Sequence, residues 1–157
     1  MLWKTHLAFG FLFGLLVMPL VNYGNKYIYF ALVLLGALLV DIDSPNSKIS
    51  NKAGILAKAT QTFTKHRGIF HSIFFAILIP GLVWYFIGHQ YGTALFVGYL
   101  SHLIIDGFTK AGVNFLHPIA TLRLHGFIET GSTAETLSFI LIIAAIIFKL
   151  GIFNMIF

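Results

Sequence analysis

Five apolar stretches separated by short polar clusters dominate the sequence, over residues 7–21, 27–40, 69–87, 93–108 and 134–157. Such runs are typical of helices that cross a bilayer, which takes roughly 20 residues of helix. The chain is 58% hydrophobic and only 10% charged. A soluble domain of 157 residues could not bury that much apolar surface. We therefore predict an all-α integral membrane bundle of about five transmembrane helices, forming a single domain over residues 1–157.

Basic residues are unequally distributed between the two ends of these stretches. With the amino terminus in the cytoplasm, eight of them lie inside and two outside, which satisfies the positive-inside rule. The inner set is Lys4, Lys48, Lys52, Lys58, Lys65, Arg67, Lys110 and Arg123, and the outer set is Lys26 and Lys149. This predicts a multi-pass protein of the cytoplasmic (inner) membrane, with a cytoplasmic loop over residues 44–67. The basic residues form no dense tract with interleaved aromatics, so we expect the lipid bilayer as partner and no nucleic acid.

The same orientation gathers almost every histidine and all the acids on the cytoplasmic side. They are His6, His66, His71, His102, His117, His125, Asp41, Asp43, Asp106, Glu129 and Glu135. His89 alone lies opposite, in an outer turn predicted over residues 88–92. A residue class confined to one face of a membrane bundle indicates a site there.

His102 and Asp106 form the first of three clusters within this set. They stand four residues apart in a predicted helix, so both lie on one face, one turn above the other. Ionisable groups inside a membrane are costly and usually pair with each other or with an ion. The pair therefore either flanks a metal or makes a structural hydrogen bond inside the bundle.

Asp41 and Asp43 form the second cluster, directly after the second stretch. That stretch has 14 residues, about 21 Å of helix against a hydrocarbon core of about 30 Å, which draws the carboxylates toward the headgroup level. Negative charge at a helix carboxyl end opposes the helix dipole, which suggests a compensating cation. The alternative is a plain helix terminus followed by a Ser44-Pro45 turn.

The third cluster precedes the third stretch and contains Lys65, His66, Arg67 and His71. His66 and His71 are five residues apart, too far around for one helical face. We therefore expect the loop-to-helix transition near Gly68 to bring both to one place. Lys65 is expected to anchor the chain at the interface, while Arg67, between two histidines, is positioned to clamp a phosphate oxygen.

With His6, which begins the first stretch at the same depth, these clusters offer more nitrogen and oxygen ligands than one tetrahedral ion uses. The candidate metal ligands are His6, Asp41, Asp43, His66, His71, His102 and Asp106. A two-metal hydrolytic site uses that number, and imidazole with carboxylate suits zinc best, with manganese or iron as alternatives. The chain has no cysteine, which excludes Cys-based zinc motifs. We assign Arg67, Asp43 and His71 to the catalytic step.

Taken in order, Thr5-His6, Asp41-Ile42-Asp43-Ser44-Pro45, the segment from His66 to Ser72, and the segment from Gly98 to Asp106 carry a family resemblance. The chain resembles the YdjM-like membrane-bound metal-dependent hydrolases over most of its length. The resemblance implies a metal-dependent hydrolase of the cytoplasmic membrane, with the same seven ligand positions. It is more remotely similar to zinc-dependent phospholipase C and the single-strand-specific zinc nucleases. Those enzymes use an amino-terminal tryptophan amine as a ligand, whereas Trp3 here is internal.

Several alternatives remain open beside a hydrolase acting on a phosphoester of a lipid-like substrate. Intramembrane Asp and His also line ion or proton pathways, which predicts polar residues continuing through the bilayer. A noncatalytic membrane anchor stapled by metal would dock a partner through the basic loop. Gly10 and Gly14 form a close-packing face either inside the bundle or between subunits. Residues 112–132 either lie along the interface or re-enter the membrane shallowly.

Overall fold

The computed structural model describes residues 1–43, 70–117, 119–120 and 122–156, with the backbone alone for residues 42–43 and 152–156. In this part of the chain, five α-helices follow in order, one for each apolar stretch. They are α1 (Trp3–Val17), α2 (Lys26–Leu39), α3 (Ile73–Phe86), α4 (His89–Gly107) and α5 (Thr133–Ile156). Short 3-10 turns over Met18–Leu20 and Val40–Asp43 follow α1 and α2. The predicted loop over residues 44–67 lies outside the described residues.

Two helices begin earlier than the apolar pattern predicts. α1 begins at Trp3 rather than at residue 7, because Thr5 and His6 are buried inside the bundle and do not face lipid. The predicted turn over residues 88–92 is wrong, since α4 begins at His89 and the connection from α3 is only Ile87 and Gly88. Gly88 has a φ of 147°, a backbone conformation that glycine adopts without strain.

The central element is α4, around which α1, α2 and α3 pack. Eleven of its 19 residues are buried, including Tyr99, His102 and Asp106. α4 is the least apolar of the helices because polar side chains such as these face the interior of the bundle and not its surface. At one end of the bundle, Tyr29 and Val33 of α2 form an apolar cluster with residues of α4. The remaining helix, α5, packs mainly on α1 and leaves most of its apolar surface exposed, as expected for contact with lipid.

Glycines allow the backbones of α1, α2 and α4 to approach closely. A Cβ on Gly98 of α4 would overlap the Val33 carbonyl of α2, and one on Gly36 would overlap the Leu95 carbonyl. On α1, a Cβ at Gly10 would lie 3.0 Å from that of Ala37. The face formed by Gly10 and Gly14 is therefore internal to the bundle, which decides between the two alternatives given above.

Residues after α4 form a small two-stranded ribbon. Strands β1 (Val113–Asn114) and β2 (Arg123–Leu124) pair antiparallel. The ribbon is fixed to the end of α4, since Gly126 N donates to Thr109 O at 3.0 Å and Ile128 N donates to Phe108 O at 3.1 Å. Neither alternative for residues 112–132 anticipated pairing of strands, which the sequence did not signal.

Length and hydropathy identify two described helices that could cross a membrane, Trp3–Leu20 and Thr133–Gly151. The apolar helices Lys26–Leu39 and Ile73–Phe86 have 14 residues each, about 21 Å against a core of about 30 Å. The predicted helical bundle is thus confirmed for the described residues, while five membrane crossings stay a prediction.

The contact between α2 and α4 generates a stability prediction. Gly98→Ala should lower the free energy of unfolding by about 1–3 kcal/mol or more, because the two backbones must separate to admit the methyl group. Gly81→Ala in α3 is the matched control, since a Cβ there meets nothing within 4 Å. Thermal unfolding of both purified variants in detergent, followed by circular dichroism, measures the difference, and equal melting temperatures would contradict the packing described.

Candidate metal centre

Five ionisable side chains from four segments meet at one end of the bundle. α1 provides His6, the turn after α2 provides Asp41, the turn before α3 provides His71, and α4 provides His102 and Asp106. The three histidines and Asp106 are 0–1% exposed, and the Asp41 side chain is 14% exposed. We call these five residues the His/Asp cluster.

Asp106 lies at the middle of the His/Asp cluster. Its Oδ1 is 3.3 Å from Nε2 of His6, and its Oδ2 is 3.6 Å from Nε2 of His102 and 3.8 Å from Nε2 of His71. The amino group of Met1 also donates to Oδ1 at 2.7 Å. One carboxylate therefore faces three imidazoles at distances that a shared cation could bridge.

Asp41 closes the cluster from the α2 side. Its Oδ1 lies 3.8 Å from Nε2 of His102 and 3.9 Å from Nε2 of His71. Two groups of three residues each place one ligand atom per residue within 4.8 Å of the others, namely His6, Asp41 and His102, and His71, His102 and Asp106. These buried groups could hold a metal ion.

The backbone of α2 orients the ring of His102. Nδ1 of His102 lies 2.7 Å from the carbonyl oxygen of Ala37. Because a carbonyl oxygen only accepts, Nδ1 carries the proton, and the lone pair of the neutral ring stands on Nε2, toward Asp41 and Asp106. A histidine ring held in this way is typical of metal ligands, whose second nitrogen donates to a carbonyl or a carboxylate.

The other rings pack around His102. The His6 ring stacks on it with centroids 3.8 Å apart and planes 7° apart, and His71 meets it edge-on at 5.4 Å. Both ring nitrogens of His6 and Nε2 of His102 are buried and make no hydrogen bond with a described residue. A buried polar atom without a partner costs roughly 1–3 kcal/mol, and a metal ion would take the lone pair of His102 Nε2 and that of one nitrogen of the neutral His6 ring. The residues of the His/Asp cluster thus fit a divalent ion, because their ligand atoms are imidazole nitrogens and carboxylate oxygens and because several of these nitrogens have no hydrogen-bond partner among the described residues.

Neighbouring residues that the sequence reasoning did not select hold the cluster in place. Tyr99 of α4 donates its hydroxyl to Phe70 O at 2.5 Å, which fixes the turn that carries His71. Thr109 donates to Asp106 O at 2.7 Å and so fixes the carboxyl end of α4. Tyr99 lies inside an apolar run, where only a buried hydroxyl needing a partner could have drawn attention to it.

The remaining predicted site residues are placed as follows. Asp43 belongs to the turn after α2, but its side chain is not described, and His66 and Arg67 lie outside the described residues. His117 and His125 belong to the ribbon segment and to neither group of three. His89 begins α4, and is therefore 13 residues before His102, at the opposite end of the same helix.

An exposed ion pair lies in the segment that follows α4, apart from the His/Asp cluster. The Lys110 ammonium donates to Glu129 Oε2 at 2.8 Å, and this bond holds the pKa of the Glu129 carboxyl below its usual value. Both side chains are mostly exposed, so the pair contributes little to stability. Glu129 therefore serves as a control for acidic residues nearer the cluster.

Comparison with known proteins gives the family. The chain is 36% identical over 109 residues to "Uncharacterized protein YvsG" of Bacillus subtilis, covering 65% of each chain. It is 31% identical over 106 residues to "Inner membrane protein YdjM" of Escherichia coli, and equally to that of Shigella flexneri, covering 64% of this chain and 54% of theirs. The chain thus spans less than two thirds of the length of these relatives, and no solved structure matches it.

The sequence profile of the family described as YdjM inner membrane protein matches residues 1–156. That match covers α1 to α5 and every member of the His/Asp cluster. It bears out the family resemblance and an inner-membrane location. The chain belongs to the YdjM inner membrane protein family.

Proposed function

We propose that this chain is a multi-pass inner-membrane hydrolase that uses divalent metal ions to cleave a phosphoester of a lipid-like substrate at the cytoplasmic interface. The observation that carries the proposal is the His/Asp cluster, in which three buried imidazoles and two carboxylates converge at one end of the bundle. Its ligand atoms are nitrogen and oxygen, a set that suits zinc and also manganese or iron.

Two ions are favoured over one by the ligand arrangement. His102 belongs to both groups of three, and Oδ1 of Asp41 and Oδ2 of Asp106 lie 3.8 Å and 3.6 Å from its Nε2. Both carboxylates approach the same Nε2, and a cation held beside each of them would offset its negative charge. Divalent ions held there supply Lewis acidity, which lowers the pKa of a coordinated water and neutralises phosphate charge.

The side chains of the cluster have separable roles in this proposal. His102 is held by the Ala37 carbonyl with Nε2 turned inward, so it binds without reorientation. Asp106 faces all three imidazoles and would hold an ion together with them. His71 faces both carboxylates through Nε2, and in catalysis it would help to hold an ion together with His102 and Asp106. Asp43 and Arg67 remain proposed to act in catalysis, Arg67 by clamping a phosphate oxygen.

The exposure of the cluster on its Asp41 side favours a substrate located at the membrane surface. Asp41 is the most exposed member, and it lies in the turn that ends α2. The short length of α2 and α3 supports a position for that turn at the headgroup level or slightly below it. A phosphoester in a lipid headgroup reaches this depth, so a lipid-like substrate is favoured.

The structure offers less support for an ion pathway through the bilayer. Beyond His102, the described core between α2 and α4 is made of Tyr29, Val33, Ala94 and Val97. The Tyr29 hydroxyl donates a hydrogen bond to Gly14 O at 3.1 Å. A conduction route needs polar groups or water along its length, and the described part of this half of the bundle is apolar.

The proposal predicts metal bound by the cluster. Purified chain should retain zinc or another divalent metal in stoichiometric amount, as measured by mass spectrometry of the protein after gel filtration. Asp106→Asn and His102→Ala should lose it, because each removes a ligand shared by several neighbours. His89→Ala, at the far end of α4, should keep it. Full metal content in Asp106→Asn would remove the basis of the proposal.

It also predicts metal-dependent hydrolysis. The metal-loaded chain in lipid vesicles should release phosphate or phosphoalcohol from phospholipid, and a chelator should stop the reaction until metal is restored. Asp41→Asn should lower kcat on the order of 100-fold, because a neutral amide binds a divalent ion far more weakly. His89→Ala is again the control. Hydrolysis that continues in the presence of chelator would contradict this mechanism.

The proposed orientation can be tested by labelling, because the chain has no natural cysteine. Lys110→Cys and His89→Cys place exposed thiols at the two ends of α4. A membrane-impermeant maleimide should label His89→Cys in intact cells and Lys110→Cys only in inverted vesicles. Labelling of both positions from the same side would exclude the predicted topology.

A further inference from the structure

Glu135 is a buried carboxylate near the candidate metal centre that belongs to neither group of possible ligands. It lies in the first turn of α5 and is 2% exposed. A carboxylate at that depth needs several hydrogen bonds to offset the loss of water. Its partners identify what it does.

The first partners of Glu135 belong to its own helix. Ser132 and Glu135 have the spacing of a capping box, and Glu135 N donates to Ser132 Oγ at 3.3 Å. Instead of returning to Ser132, the Glu135 carboxylate accepts from Gly131 N at 2.6 Å through Oε2. The side chain thus caps the amino end of α5.

The other oxygen of Glu135 reaches α1. Oε1 accepts from Leu2 N at 2.5 Å and from Thr5 Oγ1 at 3.0 Å. Leu2 is the residue that precedes α1, and its own side chain provides no cap. One carboxylate therefore caps two helices, at the positive ends of both helix dipoles.

This double cap lies one residue from His6 of the His/Asp cluster. The His6 ring makes no hydrogen bond to a described residue, although it stacks on His102. The first turn of α1 carries this ring to its place beside His102 and Asp106. Whatever holds the first turn of α1 also holds His6 against Asp106, 3.3 Å away.

We propose that Glu135 is a positioning residue, which caps α1 and α5 with one carboxylate and so holds His6 in the metal centre. The inference rests on the proposed metal site, because positioning His6 has a functional consequence only if His6 binds an ion. Glu135 itself acts through Thr5 and the backbone of α1 and is not a ligand. Loss of such an outer partner commonly weakens metal binding by about 10–100-fold.

The test compares Glu135→Gln with Glu129→Gln in the full chain in detergent, using Co²⁺ as the probe. An amide cannot accept from Gly131 N, Leu2 N and Thr5 together, so Glu135→Gln should weaken Co²⁺ binding by about 10–100-fold. It should also change the visible absorption spectrum of bound Co²⁺, which reports the ligands around the ion. Glu129→Gln removes the same charge from an exposed site and should leave both unchanged.

A second pair of variants separates positioning from general stability. Thr5→Val deletes only the hydroxyl that links α1 to Glu135 and should weaken Co²⁺ binding, whereas Thr5→Ser keeps the hydroxyl and should restore it. If Glu135→Gln does not fold, this pair decides the question. Unchanged Co²⁺ affinity in Thr5→Val, or in folded Glu135→Gln, would overturn the inference.

Asp106→Asn distinguishes failure of this inference from failure of the proposed function. Co²⁺ binding that is lost in Asp106→Asn but unchanged in Glu135→Gln overturns the positioning role and leaves the metal site intact. Co²⁺ binding that survives Asp106→Asn overturns the metal site, and the positioning role with it.

Discussion

The burial of the Asp106 carboxylate among three imidazoles is the interaction on which the rest of this structure depends. Asp106 is 1% exposed and faces His6, His71 and His102. Removing such groups from water costs several kcal/mol for each charge unless partners surround it. The start of α1, the turn before α3 and α4 itself therefore meet at one place, where the Met1 ammonium and three imidazoles surround Asp106.

Close backbone contact between helices makes this convergence possible. Gly36 and Gly98 let α2 and α4 touch without intervening side chains. That contact brings the Ala37 carbonyl within reach of Nδ1 of His102, and Asp41, in the turn after α2, lies 3.8 Å from Nε2 of the same ring. The small residues in the apolar part of the bundle and the polar residues at its end are thus parts of one arrangement.

Much of this architecture could be predicted from the sequence, since apolar runs long enough for membrane helices leave few alternatives. The predicted first span begins after His6, because the prediction places polar residues outside the membrane helices. In the structure α1 begins at Trp3, and His6 faces the interior of the bundle. The i, i+4 spacing identified His102 and Asp106, and position at the helix ends identified His6, Asp41 and His71. These five come together in the structure.

Other features depend on contacts that the sequence pattern does not encode. The ribbon of β1 and β2 has strands of two residues each, too short for a recognisable alternation. Tyr99 reads as one more aromatic residue in an apolar run, yet it positions the turn before His71. Glu135 carried a local signal, the capping-box spacing with Ser132, but its bond to α1 spans 130 residues of sequence.

The bond between His102 and Ala37 has an evolutionary consequence. Its acceptor is a main-chain oxygen, which every amino acid supplies, so no exchange of residue type at position 37 deletes it. A larger side chain at position 37 would instead press against Gly10 of α1, across the contact between the two helices. The path of α2 therefore fixes the tautomer of His102, and any substitution at position 37 that leaves this path unchanged keeps the proton on Nδ1.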